Sequence, residues 1–260
     1  MLEADLHFWD PAKPAGSPAV GTVQIWHLSV SQWYPFLDRL GAMLSTEERQ
    51  RAGRYLFPQH AHRYTIVHGV LRALLGSMLE TAPEAVRIMP DTNGKPHVIQ
   101  ADGQPSSLRF NLSDSGNVAL FAMALRQELG VDVEQIRPLD HLKLAQRFFA
   151  TEEVRDLMRL PANELEAAFF ACWTRKEAFL KAMGTGLRTP LDSFAVSVRP
   201  DEPAVLRRAA GADRRSWTVH DLSPGKGYAA ALVTASAAPN LTRAALIPEF
   251  IMPKVGMAAS

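Results

Sequence analysis

One short acidic pattern occurs twice in this chain, and each copy introduces a long helical stretch. Thr46-Glu47-Glu48-Arg49 returns as Thr151-Glu152-Glu153-Val154-Arg155, and at the same offset Ala73-Leu74-Leu75 lies opposite Ala178-Phe179-Leu180. A long helix with an apolar stripe must bury that stripe against another layer, so two such helices call for two covering layers. The expected class is α+β: two pseudo-symmetric halves, each a small, mostly antiparallel sheet packed on a long helix. The division is expected between residues 1–128 and 129–260, with a ligand cleft where the halves meet.

The local signals fill in this outline. A strand is expected near Val23 to Leu28 and a helix near Ser31 to Leu40. Ser45-Thr46-Glu47-Glu48 is a capping box opening a helix that runs to about Leu56, with a break at Pro58. Tyr64, Val67, Leu71, Leu74, Leu75 and Met78 then recur at three- and four-residue steps, the period of a long helix. Asp91 to Pro96 reads as a turn, followed by strands near Leu108 to Ser113 and Asn117 to Leu125, joined by Asp114-Ser115-Gly116. The second half should carry a strand at Val131 to Ile136, a helix near Leu139 to Phe149, a helix capped by Thr151, and a long helix from about Asn163 to Met183. Gly184-x-Gly186 stops it. Strands near Phe194 to Val198, Ser216 to Leu222 and Tyr228 to Val233 come next, then a last strand or arm after Pro239. Residues 1–19 read as an irregular lead-in and Met257 to Ser260 as a frayed end.

Composition removes several function classes. A net charge of +1 with 47% hydrophobic residues gives no field to attract nucleic acid or a membrane surface. The apolar runs are too short to span a bilayer, and the acidic start Met1-Leu2-Glu3-Ala4-Asp5 is no secretory signal. A lone Cys172 excludes a disulfide framework and points to a reducing cytoplasm. The scattered histidines lack the Cys/His spacing of a zinc site.

The chemistry concentrates in Gly130-Val131-Asp132-Val133-Glu134 and in Trp173-Thr174-Arg175-Lys176-Glu177-Ala178-Phe179-Leu180-Lys181. On a strand, Asp132 and Glu134 share one face while Val131 and Val133 share the other. On a helix, Trp173, Glu177 and Lys181 fall on one face, and Lys176 lies about 100° round from Glu177. Adjacent carboxylates are commonly reconciled by a hard cation such as Mg²⁺, which takes phosphate oxygens as further ligands. With lysines beside it, such a site suits phosphoryl-type transfer to a hydroxyl. No Walker-type loop is present, which argues against the P-loop enzymes.

These two motifs together resemble the signatures of the 4′-phosphopantetheinyl transferases of the long, surfactin-synthetase-activator type. The likeness extends through Leu44-Ser45 and Glu48-Arg49-x-Arg51-Ala52, Arg63, Gly94-Lys95-Pro96, Phe110-Asn111-Leu112-Ser113, Arg147-Phe148-Phe149 and Pro190-Leu191-Asp192. The resemblance implies transfer of 4′-phosphopantetheine from coenzyme A to a serine of an apo acyl or peptidyl carrier protein, releasing 3′,5′-ADP. It implies that Asp132, Glu134 and Glu177 hold Mg²⁺, and that Glu177 accepts the serine proton. Lys181, together with Lys176, would bind the phosphate under attack. Arg51 and Arg63 would serve the 3′-phosphate, Lys95 and Pro96 the adenine, and Ser113 a phosphate. The expected protein is a monomer with an internal pseudo-dimer. One departure stands out: Asp114 occupies the place of a usual histidine. It either turns away, pairs with a nearby arginine, or weakens the coenzyme A site. A non-catalytic binder of coenzyme A or carrier protein keeping the fold is the alternative. Glu48 likewise stands where a basic residue is usual, which would leave that contact missing or moved to Arg49.

Overall fold

The computed structural model describes residues 16–209, 217–236 and 239–251. Most of the expected lead-in, Ser216 and the expected frayed end lie outside the described residues. Strand β1 (Thr22–Ser29) is buried on both faces, with Val23 and Ile25 on one side and Trp26 and Leu28 on the other. The helix expected from Ser31 is a 3₁₀ segment over Val30–Phe36 leading into α1 (Leu37–Met43). Pro35 within the segment has no N–H to give to a helical ladder. Helix α2 (Thr46–Ala52) opens on the expected capping box: the Glu48 N–H donates to Ser45 Oγ (3.2 Å) and the Ser45 N–H to Glu48 Oε2 (2.8 Å). It ends at Gly53 rather than Leu56, glycine being a poor helix former. Helix α3 (Pro58–Leu79) begins on Pro58, whose missing N–H costs nothing at a first helical position.

Strands β2 (Arg87–Pro90) and β3 (Pro96–Ile99) flank the expected turn as a small hairpin. Strand β4 (Leu108–Ser115) carries Asp114 and Ser115 within it, so Asp114 is a strand residue, not part of the turn to β5 (Val118–Leu125). In the second half come β6 (Leu129–Gln135), α4 (His141–Phe148), α5 (Thr151–Leu157) and α6 (Ala162–Met183). Thr151 is the first helical residue rather than the cap. Ala150 occupies the cap, and its N–H donates to Glu153 Oε2 (2.8 Å). Helix α6 ends at Gly184 in the left-handed conformation, as expected. Strands β7 (Ala195–Val196), β8 (Leu206–Arg208), β9 (Thr218–Leu222), β10 (Tyr228–Thr234) and β11 (Asn240–Ala245) complete the chain's sheets.

The two main sheets run β11-β1-β5-β4 and β6-β10-β9, antiparallel except for the parallel β1–β11 pair. Strand β11 therefore returns from the end of the chain to the first sheet. Each half repeats the same order, a seven-residue helix followed by a 22-residue helix. Three apolar clusters define four layers. Helix α3 covers one face of the first sheet through Val67, Leu71 and Leu74 against Phe121. Helix α6 covers the second sheet through Phe179 against Ala231 and Val233. Between the sheets lie Ile25, Leu120, Val131, Val133 and Leu232. Strand β6 thus turns Val131 and Val133 to the central layer and its even-numbered residues to α6.

That contact between β6 and α6 is unusually close. A Cβ on Gly130 would stand 2.2 Å from Ala178 O and 2.3 Å from Ala182 N, so any larger residue would push the helix off the strand. Gly130→Ala should lower stability by about 1–3 kcal/mol, the usual cost of overpacking, and should displace Lys181 from Asp132. Denaturant unfolding of the purified variant measures the first effect; a midpoint equal to wild type would contradict the close approach.

Candidate active site

The site is assembled where the edges of the two sheets, β4 and β6, meet under α6. Alternate residues of β4 project toward β6. Asn111 Oδ1 accepts from the Val131 N–H (2.9 Å), Ser113 Oγ donates to Asp132 Oδ1 (2.9 Å), and Ser115 Oγ donates to Glu134 Oε2 (2.9 Å) while accepting from the Gln135 N–H (3.1 Å). From above, Lys181 Nζ donates to Asp132 Oδ1 (2.7 Å), Ser113 Oγ (2.9 Å) and Val131 O (3.1 Å). One ammonium therefore ties together β4, β6 and α6. The sequence reading named Ser113 but passed over Asn111 and Ser115, although the alternation Asn-x-Ser-x-Ser on a strand was a visible signal.

The electrostatics are those of crowded, buried carboxylates. Burial raises the Glu177 carboxyl above its ordinary range, and the Asp132 and Glu134 charges add to this while Lys181 opposes it. Burial and the neighbouring Asp132 raise Glu134 in the same way, against the Ser115 hydrogen bond. Asp132 is nearly inaccessible to solvent, and its Oδ2 is buried without a hydrogen-bond partner. A buried carboxylate oxygen without a partner is costly. Three carboxylates against one lysine, with an unpartnered oxygen among them, form a donor set that fits a hard divalent cation. Among the described residues, no three His, Cys, Asp or Glu side chains are already drawn together as a metal cage.

Beside this cluster opens a pocket of about 300 Å³, lined by Asn93, Gly94, Lys95 and Pro96 on one side and by Glu177, Leu180, Lys181 and Gly184 on the other. Lys95 contributes its stem and backbone but not its charge. Its Nζ is buried and donates to Glu128 Oε2 (2.6 Å), Ala182 O (2.8 Å) and Leu129 O (3.3 Å). Arg63 on α3 pairs with Asp114 (3.0 Å), which is the pairing alternative among the three readings of that position. Arg51 is exposed, lies over the Tyr64 ring (5.4 Å), and lines a separate cavity of about 710 Å³ with Glu48, His68 and Arg72. Burial would raise Glu48, but hydrogen bonds from His68, the Ser45 N–H and Arg72 outweigh it and bring the carboxyl down to about 2. Arg49 turns its guanidinium back onto Leu44 O.

Over 230 residues the chain is 36% identical to the 4′-phosphopantetheinyl transferase HetI of Nostoc sp., a match covering 88% of this chain and 94% of that protein. It belongs to the 4′-phosphopantetheinyl transferase superfamily. The superfamily's profile matches residues 128–233, and the profile described as 4′-phosphopantetheinyl transferase, N-terminal, matches residues 25–126. The transferase psf-1 of Bacillus pumilus is 36% identical over 171 residues, 66% of this chain and 71% of its own. Sfp of Bacillus subtilis is 30% identical over 164 residues, 63% of this chain and 70% of its own.

In this transferase Lys176 does not stand at the edge of the site, as the sequence reading had it. Its side chain is fully buried, and Nζ donates to both Glu153 oxygens (2.7 Å each) and to Phe194 O (2.8 Å). Glu153 in turn accepts from the N–H groups of Ala150 and Val196, so the pair pins α5 and β7 to α6. The helical wheel places Lys176 off the Glu177 face, and the buried carboxylate of α5 decides where it goes. Cys172 is likewise a core residue whose thiol burial pushes well above its ordinary range. Lys176→Met should cost about 3–5 kcal/mol by leaving Glu153 buried without its partner. Thermal unfolding is the check, since a well-folded but inactive Lys176→Met would return Lys176 to the phosphate site.

Proposed function

We propose that the pocket between the β2–β3 turn and the end of α6 binds coenzyme A, whose 4′-phosphopantetheine arm is moved to a serine of an apo acyl or peptidyl carrier protein. The observation that carries this reading is Lys181 bridging Ser113 and Asp132 at the floor of the pocket. An ammonium and a hydroxyl set there can both donate to a pyrophosphate oxygen. Asp132, Glu134 and Glu177 are the residues that would hold Mg²⁺. When bound, the ion supplies charge neutralisation at the pyrophosphate.

The transfer forms a bond from the carrier serine Oγ to the phosphorus bearing pantetheine and breaks that phosphorus's bond to the bridging oxygen. The departing group is 3′,5′-ADP. Glu177 accepts the serine proton, directly or through a water. Lys181 and Ser113 orient the phosphate, and Pro96 with the stem of Lys95 gives the adenine an apolar wall. Arg63 reaches the 3′-phosphate by leaving Asp114, and Arg51 serves the same group from α2.

The meeting of the two matched profiles between residues 126 and 128 supports a division into 1–128 and 129–260. Both walls of the cleft come from one chain, which supports a monomer. No helix among the described residues is long and apolar enough to cross a membrane. We place the enzyme in the cytoplasm, a reading supported by the free, buried Cys172.

Glu177→Gln is the direct test. Removing a general base of this kind should slow loading of a carrier protein by about 10²–10⁴-fold, read as loss of the phosphopantetheine mass shift. The native state holds a raised Glu177, which favours the protonated form, so its stabilising share is present at low pH and lost as pH rises. At neutral pH, without divalent ion, the neutral Gln should therefore keep or raise Tm. A Glu177→Gln protein that loads the carrier at wild-type rate would overturn the assignment.

A further inference from the structure

The 300 Å³ pocket is bounded by two thin walls from opposite halves of the molecule. One is the β2–β3 turn, Asn93 to Pro96. The other is the segment that follows α6, through Gly184 and Gly186. Both walls bend at glycines, Gly94 (φ +91°) and Gly184 (φ +67°), in conformations that residues with a side chain rarely adopt. Their inner ends are fixed together in the core, where Lys95 Nζ donates to Ala182 O at 2.8 Å. The turn is held in shape by Asp91, whose Oδ1 accepts from the N–H groups of Asn93 (2.8 Å) and Lys95 (2.9 Å).

The outer ends are joined as well. Arg188 lies just past the second wall and donates from Nη1 to Asn93 Oδ1 (2.5 Å) and from Nη2 to Thr92 O (3.4 Å). The inner tie is buried and the outer tie is exposed, so the two differ in how readily they open. A solvent-exposed contact of this kind exchanges easily with water, whereas opening the Lys95 contact takes an acceptor away from a buried ammonium. Together they join the two walls at two points, one in the core and one at the surface.

We propose that Arg188 is a positioning residue: a strap from the C-terminal half to the β2–β3 turn that closes over coenzyme A and slows its escape. This rests on the reading of the pocket as the coenzyme A site. The strap acts through the walls, so Arg188 and Asn93 serve as one unit, and the groups that meet the reacting phosphate stay where they are.

The test is the release of coenzyme A from the full-length enzyme, measured by rapid displacement, together with steady-state transfer to an apo carrier protein. Arg188→Ala and Asn93→Ala should each speed release and raise KM for coenzyme A by about five- to tenfold, the size of one typical hydrogen bond. In Arg188→Ala kcat should stay within about twofold, since the groups that meet the reacting phosphate are untouched. The double variant should be no worse than Arg188→Ala, which already removes the contact to Asn93. Unchanged release in both single variants would overturn the strap. Loosening by Arg188→Ala alone would also overturn it, by showing that the guanidinium serves the ligand instead of the turn. If wild-type enzyme fails to bind coenzyme A or load the carrier, the reading of the pocket falls first and the strap with it.

Discussion

The structure depends on one close contact, the main chain of α6 lying directly on β6 at Gly130. With no side chain between them, helix and strand approach near enough for Lys181 to reach across to Asp132, and for Glu177 to share its field. The strand's period of two and the helix's four-residue step then do the rest. Asp132 and Glu134 face up from the strand while Glu177 and Lys181 face down from the helix. Two ordinary periodicities become a site only because a glycine lets the backbones meet.

The four-layer build explains why the site falls at an edge. The middle of the layer between the sheets is an apolar cluster around Ile25, Leu120, Val131, Val133 and Leu232. At the β4 and β6 edges the sheets present side chains to each other instead of completing a shared ladder. Asn111, Ser113 and Ser115 satisfy groups of β6 that an edge strand would otherwise leave open. The same hydrogen bonds that join the halves therefore orient the carboxylates. Stability and function are coupled here: three carboxylates near one lysine oppose folding at neutral pH, and a bound cation would remove that opposition.

Much of this was legible in the sequence, for identifiable reasons. Periodicity revealed both long helices, the capping box at Ser45 and the shared faces of Asp132 with Glu134 and of Glu177 with Lys181. What escaped was decided by partners distant in the chain. Lys176 carries the right charge for phosphate, yet Glu153 claims it, as Glu128 claims the charge of Lys95, and no local pattern announces such pairings. The β2–β3 hairpin was hidden because its four-residue strands carry Pro90 and Pro96, weak strand signals at the turn itself. The parallel pairing of β11 with β1 joins the two ends of the fold, which nearest-neighbour reading does not foresee. Asp114 shows the reverse: its alternatives were visible in the sequence, and the Arg63 partner on α3 chose among them.

The central claim is that carboxylates from β6 and α6 converge on one shared divalent ion. Titration of Mn²⁺ into the wild-type enzyme and into Asp132→Asn, in the presence of coenzyme A and followed by electron paramagnetic resonance, tests it most directly. The account predicts one tightly held ion in the wild type and binding weakened by more than about tenfold in Asp132→Asn, beyond the lower end of what even outer-shell losses cost. Equal occupancy and affinity in the two proteins would contradict it.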